Sequence, residues 1–149
     1  MRSHIACWLC AMAALLMIAC GGGQERHSEV HDIEGEVWNA PEEFVYSNED
    51  SLSQRDISIV VRYSMDYVAD SVTLRVMTIS PDSLLFEEPF TLHIPHLADM
   101  RPEEQTFVYR RNVTLRNKGD YRFRLTPEEP VEGIAAVGVV ISENNPNNE

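Results

Sequence analysis

The stretch "YRFRLT", residues 121–126, sets Tyr121, Phe123 and Leu125 against Arg122 and Arg124 at strict alternation. Successive side chains of an extended strand point to opposite faces. One face of this segment is therefore apolar and the other charged, the signature of a half-buried strand. The same period of two recurs along the chain. In "RDISIVVRY", Ile57, Ile59, Val61 and Tyr63 share a face. In "SVTLRVM", Val72, Leu74 and Val76 oppose Thr73 and Arg75. In "LLFEEPFTLHIP", Phe90, Leu92 and Ile94 alternate with Thr91 and His93, and Pro89 marks an edge or a bulge because it cannot donate to a ladder. "TFVYRRNVTL" aligns Phe107 and Tyr109, then Val113 and Leu115. "GIAAVGVVIS" is apolar on both faces and predicts a central strand.

Turn formers separate these runs: Asn48-Glu49-Asp50, Ser80-Pro81-Asp82, Asn117-Lys118-Gly119-Asp120 and the segment from Pro127 to Pro130. "LRNKGDY" predicts a hairpin with Gly119 at positive φ. Short strands with spaced turns and no helical stretch predict an all-β fold, a single antiparallel β-sandwich of immunoglobulin-like or jelly-roll-like type.

The N-terminus reads differently. Arg2 is followed by an unbroken apolar run from Ile5 to Ile18. That run is shorter than the roughly 18 residues of a membrane-spanning helix, and it fits the apolar centre of a secretory leader. It ends in "LMIAC", which resembles a bacterial lipobox, the signal that directs lipid attachment to its cysteine. The chain has three cysteines, Cys7, Cys10 and Cys20. The first two fall in the leader, so the mature chain keeps Cys20 alone and forms no internal disulfide. An acylated Cys20 carrying two or three chains is a stable membrane anchor. The expected organisation is a signal peptide over residues 1–19, a lipidated Cys20 with a flexible tether over 20–36, a β-sandwich over 37–142 and a disordered polar tail over 143–149.

Twenty-four acidic residues against 12 Lys and Arg give a net charge of −12. Nucleic-acid binding rests on phosphate neutralisation by basic side chains, so no nucleic-acid partner is expected. The charge equally disfavours lying flat on an anionic bilayer.

No nucleophile motif, phosphate loop or H-E-x-x-H stretch occurs, and neither a catalytic residue nor a cofactor or metal is expected. His27 and His31, with Glu29 and Asp32, have ligand-like spacing but fall in the expected tether. His93 and His96 flank Pro95 without the further ligands zinc needs. Asn112-Val113-Thr114 has the form of a glycosylation sequon and reads as strand sequence. Gly133 and Gly138 predict bends or close packing. Trp38, Tyr46, Tyr63 and Tyr67 form either an aromatic binding face or part of the core, with core the commoner use.

The segment "FVYRRNVTLRNKGDYRFRLTPEEPVEGIAAVGVVISE" resembles the gliding-motility lipoprotein GldH family of the Bacteroidota. The resemblance is carried by Lys118-Gly119-Asp120-Tyr121-Arg122-Phe123 and by Gly133-Ile134 through Val137-Gly138-Val139. Upstream, Trp38, "IVVRY" and "SPD…LHIP" follow in the family's order. A tryptophan–glycine stretch usual in the family has no counterpart in "HLADMRPEEQT". The resemblance implies an outer-membrane lipoprotein, an accessory of gliding and type IX secretion that works through envelope protein partners and not as an enzyme. The alternative is a lipid-anchored ligand-binding module, for example for glycans. An exposed aromatic row would favour glycan binding, and a large apolar patch would favour a protein partner.

Overall fold

A computed structural model describes residues 25–94 and 104–144 of the chain. The expected leader, Cys20, His96 and residues 145–149 lie outside them. The elements in chain order are β1 (Arg26–Asp32), a 3-10 turn at Glu34–Glu36, β2 (Val37–Trp38), β3 (Glu42–Asn48), β4 (Gln54–Tyr63), β5 (Ser71–Ile79), β6 (Leu85–His93), β7 (Glu104–Thr114), β8 (Gly119–Pro127), β9 (Val131–Glu132) and β10 (Ile134–Glu143). Every pairing is antiparallel. One sheet runs β1-β10-β4-β7, a second β3-β8-β5-β6, and β2 and β9 form a short ribbon. The two large sheets enclose one core, so the fold is an all-β sandwich.

The alternation read from the sequence places the core. Ile57, Ile59 and Val61 of the first sheet meet Val72, Leu74 and Val76 of the second, with Tyr121, Phe123 and Leu125 beside them. Val137, Val139 and Ile141 of β10 fill the centre of the first sheet's inner face. β10 is central, between β1 and β4, and is buried on both faces as its composition predicts. Pro89 sits in β6, an edge strand, where its missing N–H is harmless.

Three expectations need correction. The stretch expected to be a tether up to residue 36 is a paired strand from Arg26 onward, in register from Arg26 opposite Ser142 to Asp32 opposite Ala136. Backbone ladders form whatever the side chains are, and β1 is an edge strand whose inner positions, His27, Glu29 and His31, lie at the sandwich margin where polar groups find partners. At the other end, β10 runs to Glu143, and the Asn144 N–H donates to the Gln54 carbonyl, so the fold extends past residue 142. The predicted hairpin is the third correction. β7 pairs with β4 in the first sheet, whereas β8 pairs with β3 and β5 in the second. "LRNKGDY" therefore crosses from one sheet to the other. Gly119 does have positive φ, +117°, and a Cβ there would sit 3.2 Å from Pro81 Cβ.

The sandwich has two poles. The Glu143 N–H donates to the Glu25 carbonyl, just before β1, at the same end as the turns 49–53, 80–84 and 115–118. The opposite pole carries the connections 33–41, 64–70 and 128–133.

Candidate interaction surface

The outer faces of the two sheets follow from register. On the second sheet, the outward positions of β3, β8, β5 and β6 mix polar residues that pair across strands with Val45, Met77, Ile79 and Leu85. Arg124 donates to Glu43 from Nη2 at 2.7 Å and from Nε at 3.2 Å. Arg75 lies 2.5 Å from Glu87, Thr73 and Thr91 share a hydrogen bond of 3.0 Å, and Ser47 donates to Asp120 at 2.6 Å. This face is occupied with its own polar contacts.

The outer face of the first sheet is apolar at its centre. One row runs Val30, Gly138, Val60, Thr106 across the four strands, and the next runs Ser28, Val140, Ser58, Val108. Val60, Ala136 and Val140 are buried yet take no part in the core cluster, which places them on the outer side. Val30 and Val108, at the two margins, are 39% and 40% exposed. Gly138 keeps β1 close to β10: a Cβ there would lie 2.6 Å from the Glu29 carbonyl and 2.7 Å from Val30 Cγ2. A third row, Asp32, Ala136, Arg62 and Glu104, is charged, with Arg62 donating to Glu104 at 3.1 Å.

The margins where the sheets meet are sealed differently. At the β1–β3 margin, His31 bridges Glu42 (2.9 Å) and Glu29 (3.2 Å), and the Val45 N–H donates to Glu29 at 2.9 Å. The His31 and Phe44 rings lie 4.5 Å apart, and His27 packs edge-on against Tyr46. The hydrogen bond to Glu42 holds the His31 proton more tightly than usual; burial opposes this and Glu29 adds to it. At the β6–β7 margin, Phe90 meets Tyr109 edge-on and the Tyr109 hydroxyl donates to Glu88 at 2.5 Å, with Arg110 also on Glu88. Burial and then the Glu88 bond push the Tyr109 hydroxyl well above its ordinary range.

A shallow cleft of about 510 Å³ opens at the pole away from the N-terminus, lined by Val68, Val72, Val131 and the carboxylates Glu128, Glu129 and Glu132 among others. No nucleophile–base pair converges on it. Beside it, burial and the nearby Asp70 raise the Tyr67 hydroxyl to about 12.

Trp38, Tyr46 and Tyr67 are buried and Tyr63 is half-buried, so these four rings make no exposed row. His93 is exposed at the end of β6, and Asn112 occupies a positive-φ position in β7. Among the described residues no cluster of three or more His, Cys, Asp or Glu has the geometry to hold a metal. One important residue escapes the periodicity reading. Arg55 lies on the inward-facing register of β4 and is 2% exposed. It caps the core at the N-terminal pole, donating to the Asp50 and Ser53 carbonyls at 3.1 and 3.3 Å and lying over the Tyr46 ring. Its position in the odd-numbered series with Ile57 and Ile59 is the signal that marks it.

No curated protein matches the chain. The ZU5 domain family matches residues 54–112. That span takes in β4, β5, β6 and most of β7, and so contributes half the strands of each sheet, including two of the four under the apolar outer row. Over β4 to β7 the chain is thus similar to a ZU5 domain, a protein-interaction module.

Proposed function

We propose that this protein is a non-enzymatic β-sandwich lipoprotein, held in the cell envelope by an acylated Cys20, that acts by binding another envelope protein through the outer face of its first sheet. The observation that carries the contact is the contrast between outer faces. One carries cross-strand ion pairs around the exposed Val45, and the other sets the exposed Val30 and Val108 at the margins of a buried apolar centre of Val60, Gly138 and Val140. Exposed apolar surface of this kind, rimmed by polar groups, is a usual mark of a protein interface. The likeness to a ZU5 domain over residues 54–112 supports a protein as the ligand. The leader-like N-terminus with "LMIAC" supports the anchor, and the resemblance to the GldH family supports an envelope role beside gliding or type IX secretion components.

The test is site-specific photo-crosslinking in living cells. A crosslinking residue at position 108 should trap a defined envelope protein, and the same residue at position 73 on the second sheet should not. Val30→Glu combined with the position 108 probe should abolish the adduct while the protein still fractionates with the envelope. Crosslinks from position 73 and none from position 108 would assign the contact to the wrong face and sink the reading.

A further inference from the structure

Sequence length and fold together restrict how far the domain stands from its anchor. β1 begins at Arg26, so the stretch from Cys20 to the first paired residue holds only five intervening residues. Fully extended, such a stretch reaches about 20 Å at ~3.3–3.6 Å per residue. β4 alone is 10 residues long, roughly 33 Å. The N-terminal pole is therefore held beside the bilayer, and the opposite pole reaches it only if the sandwich lies on its side.

That pole displays four large apolar side chains to water, against Met65 and Val68 at the opposite one. Leu52 in the turn 49–53 is 84% exposed, and Leu84, Leu85 and Phe86 at the turn into β6 are 70%, 59% and 54% exposed. These four are nearly half of the large apolar side chains exposed among the described residues. Both turns are held in shape. The Leu52 N–H donates to Asp50 Oδ1 at 2.8 Å. The Ser80 N–H donates to the Leu84 carbonyl at 3.0 Å, the Ser83 N–H donates to the Ser80 carbonyl at 2.8 Å, and Ser83 takes a positive φ of 65°. Ser80 Oγ also bonds Asp82. The leucines are thus presented on built tips, and Phe86 is steadied by the Arg110 guanidinium 5.8 Å from its ring centre.

From these observations we infer that the N-terminal pole is a bilayer-contacting surface, with Leu52, Leu84, Leu85 and Phe86 seated in the headgroup layer beside the acylated cysteine. The inference rests on the lipid-anchor reading above. A headgroup layer is roughly 6 Å deep on each side of the hydrocarbon, which suits single side chains on turn tips. Glu25, Glu49, Asp50, Asp82 and Asp120 near the same pole are interspersed with the exposed Arg26, Arg116 and Lys118, a mixed charge that suits a zwitterionic leaflet. Contact here fixes the sandwich upright and leaves the apolar outer face of the first sheet standing clear of the membrane for a partner.

The experiment uses the full chain, processed in cells and reconstituted into phosphatidylcholine–phosphatidylethanolamine vesicles whose acyl chains carry bromine. Mass spectrometry of the mature N-terminus is read first. Leu85→Trp and Leu52→Trp then report on the N-terminal pole, and Val68→Trp, at a position 81% exposed, reports on the opposite one. Trp38, buried in every variant, supplies a background measured on the parent. Emission from the Leu85→Trp and Leu52→Trp variants should shift to the blue and fall roughly twofold or more, as for an interfacial side chain. Emission from Val68→Trp should not change. An acylated Cys20 with no quenching at either pole overturns the inference and leaves the anchor standing, as does equal quenching at both poles, which describes a sandwich lying flat. A mature N-terminus without lipid removes the anchor reading and the inference with it.

Discussion

The two outer faces of this sandwich are built from the same alternation and end up with opposite characters. On the second sheet the outward positions of β8 and β5 include Arg122, Arg124, Thr73 and Arg75 beside Met77 and Ile79, and the adjoining edge strands supply Glu43, Glu87 and Thr91 as partners. Arg124, Arg75 and Thr73 each find a partner one strand away, at the distance where cross-strand pairs interact. On the first sheet the central strand β10 is apolar on both sides: its outward Gly138 lies between Val30 and Val60, Val140 between Ser28 and Ser58, and Ala136 between Asp32 and Arg62. A strand buried on both faces is normal where another layer covers the sheet. Here the second sheet covers the inner side, and on the outer side Val60, Ala136 and Val140 are buried while Val30 and Val108 at the margins stay exposed. The comparison teaches that the proposed interaction face is marked by an inner-type strand placed in an outer layer.

Three experiments break or sharpen that comparison. The largest effect should come from the inner face. Phe123→Ala removes a core ring that is 1% exposed and should cost about 3–5 kcal/mol. Arg122→Ala, on the outward side of the same strand, should cost less than about 0.5 kcal/mol. Chemical denaturation of both variants checks this, and equal losses would mean that the faces are not distinct.

Next in size is Gly138→Val, which tests whether the apolar row depends on close approach of β1. The added Cβ meets the Glu29 carbonyl at 2.6 Å, and backbone cannot yield as a flexible side chain can. Overpacking of this kind costs about 1–3 kcal/mol. Amide hydrogen exchange should show β1 losing protection before the rest of the first sheet. Unchanged protection over Arg26–Asp32 would show that β1 tolerates the bulk and that Gly138 has no packing role.

The smallest effect concerns the margin joining the two sheets. The His31 proton is held more tightly in the folded chain than the ordinary value of 6.5, chiefly by Glu42. A group whose folded affinity is raised stabilises fully below its unfolded value, and that stabilisation disappears as pH rises through the folded value. His31 is about one-third exposed, so solvent screening limits the effect to about 0.5 kcal/mol. Parent and His31→Gln should therefore differ more in thermal midpoint at about pH 6 than at about pH 8.5, both above the carboxylate range. A gap that stays level or widens with rising pH would show that a neutral histidine suffices at this margin.

The residues themselves explain where the sequence could be read and where it could not. Six strands, β4 to β8 and β10, are legible because each carries three or more apolar side chains at a period of two or an unbroken apolar run. β3 has only Phe44 and Tyr46 before Asn48, too short a pattern to stand out. β1 has Val30 as its single aliphatic residue, and its strand exists because β10 offers a free edge. Neither sheet's outer face could be read for function, because the apolar row joins residues as distant in sequence as Val30 and Val140.

The alternation of apolar and polar residues determined by itself that the chain makes strands, which side of each faces the core, and that β10 is central. Those properties follow from the two-residue repeat of an extended backbone, which is local. Only the tertiary structure decided which strands share a sheet. "LRNKGDY" has the chemistry of a tight turn, yet β8 finds better partners in β3 and β5 than in β7, and the turn becomes a crossover. Arg55 shows the same division: its register on β4 is local, but its burial depends on carbonyls of a turn that ends the preceding strand. Pairing is a competition among edges brought together by folding, and no short stretch of sequence contains all the competitors.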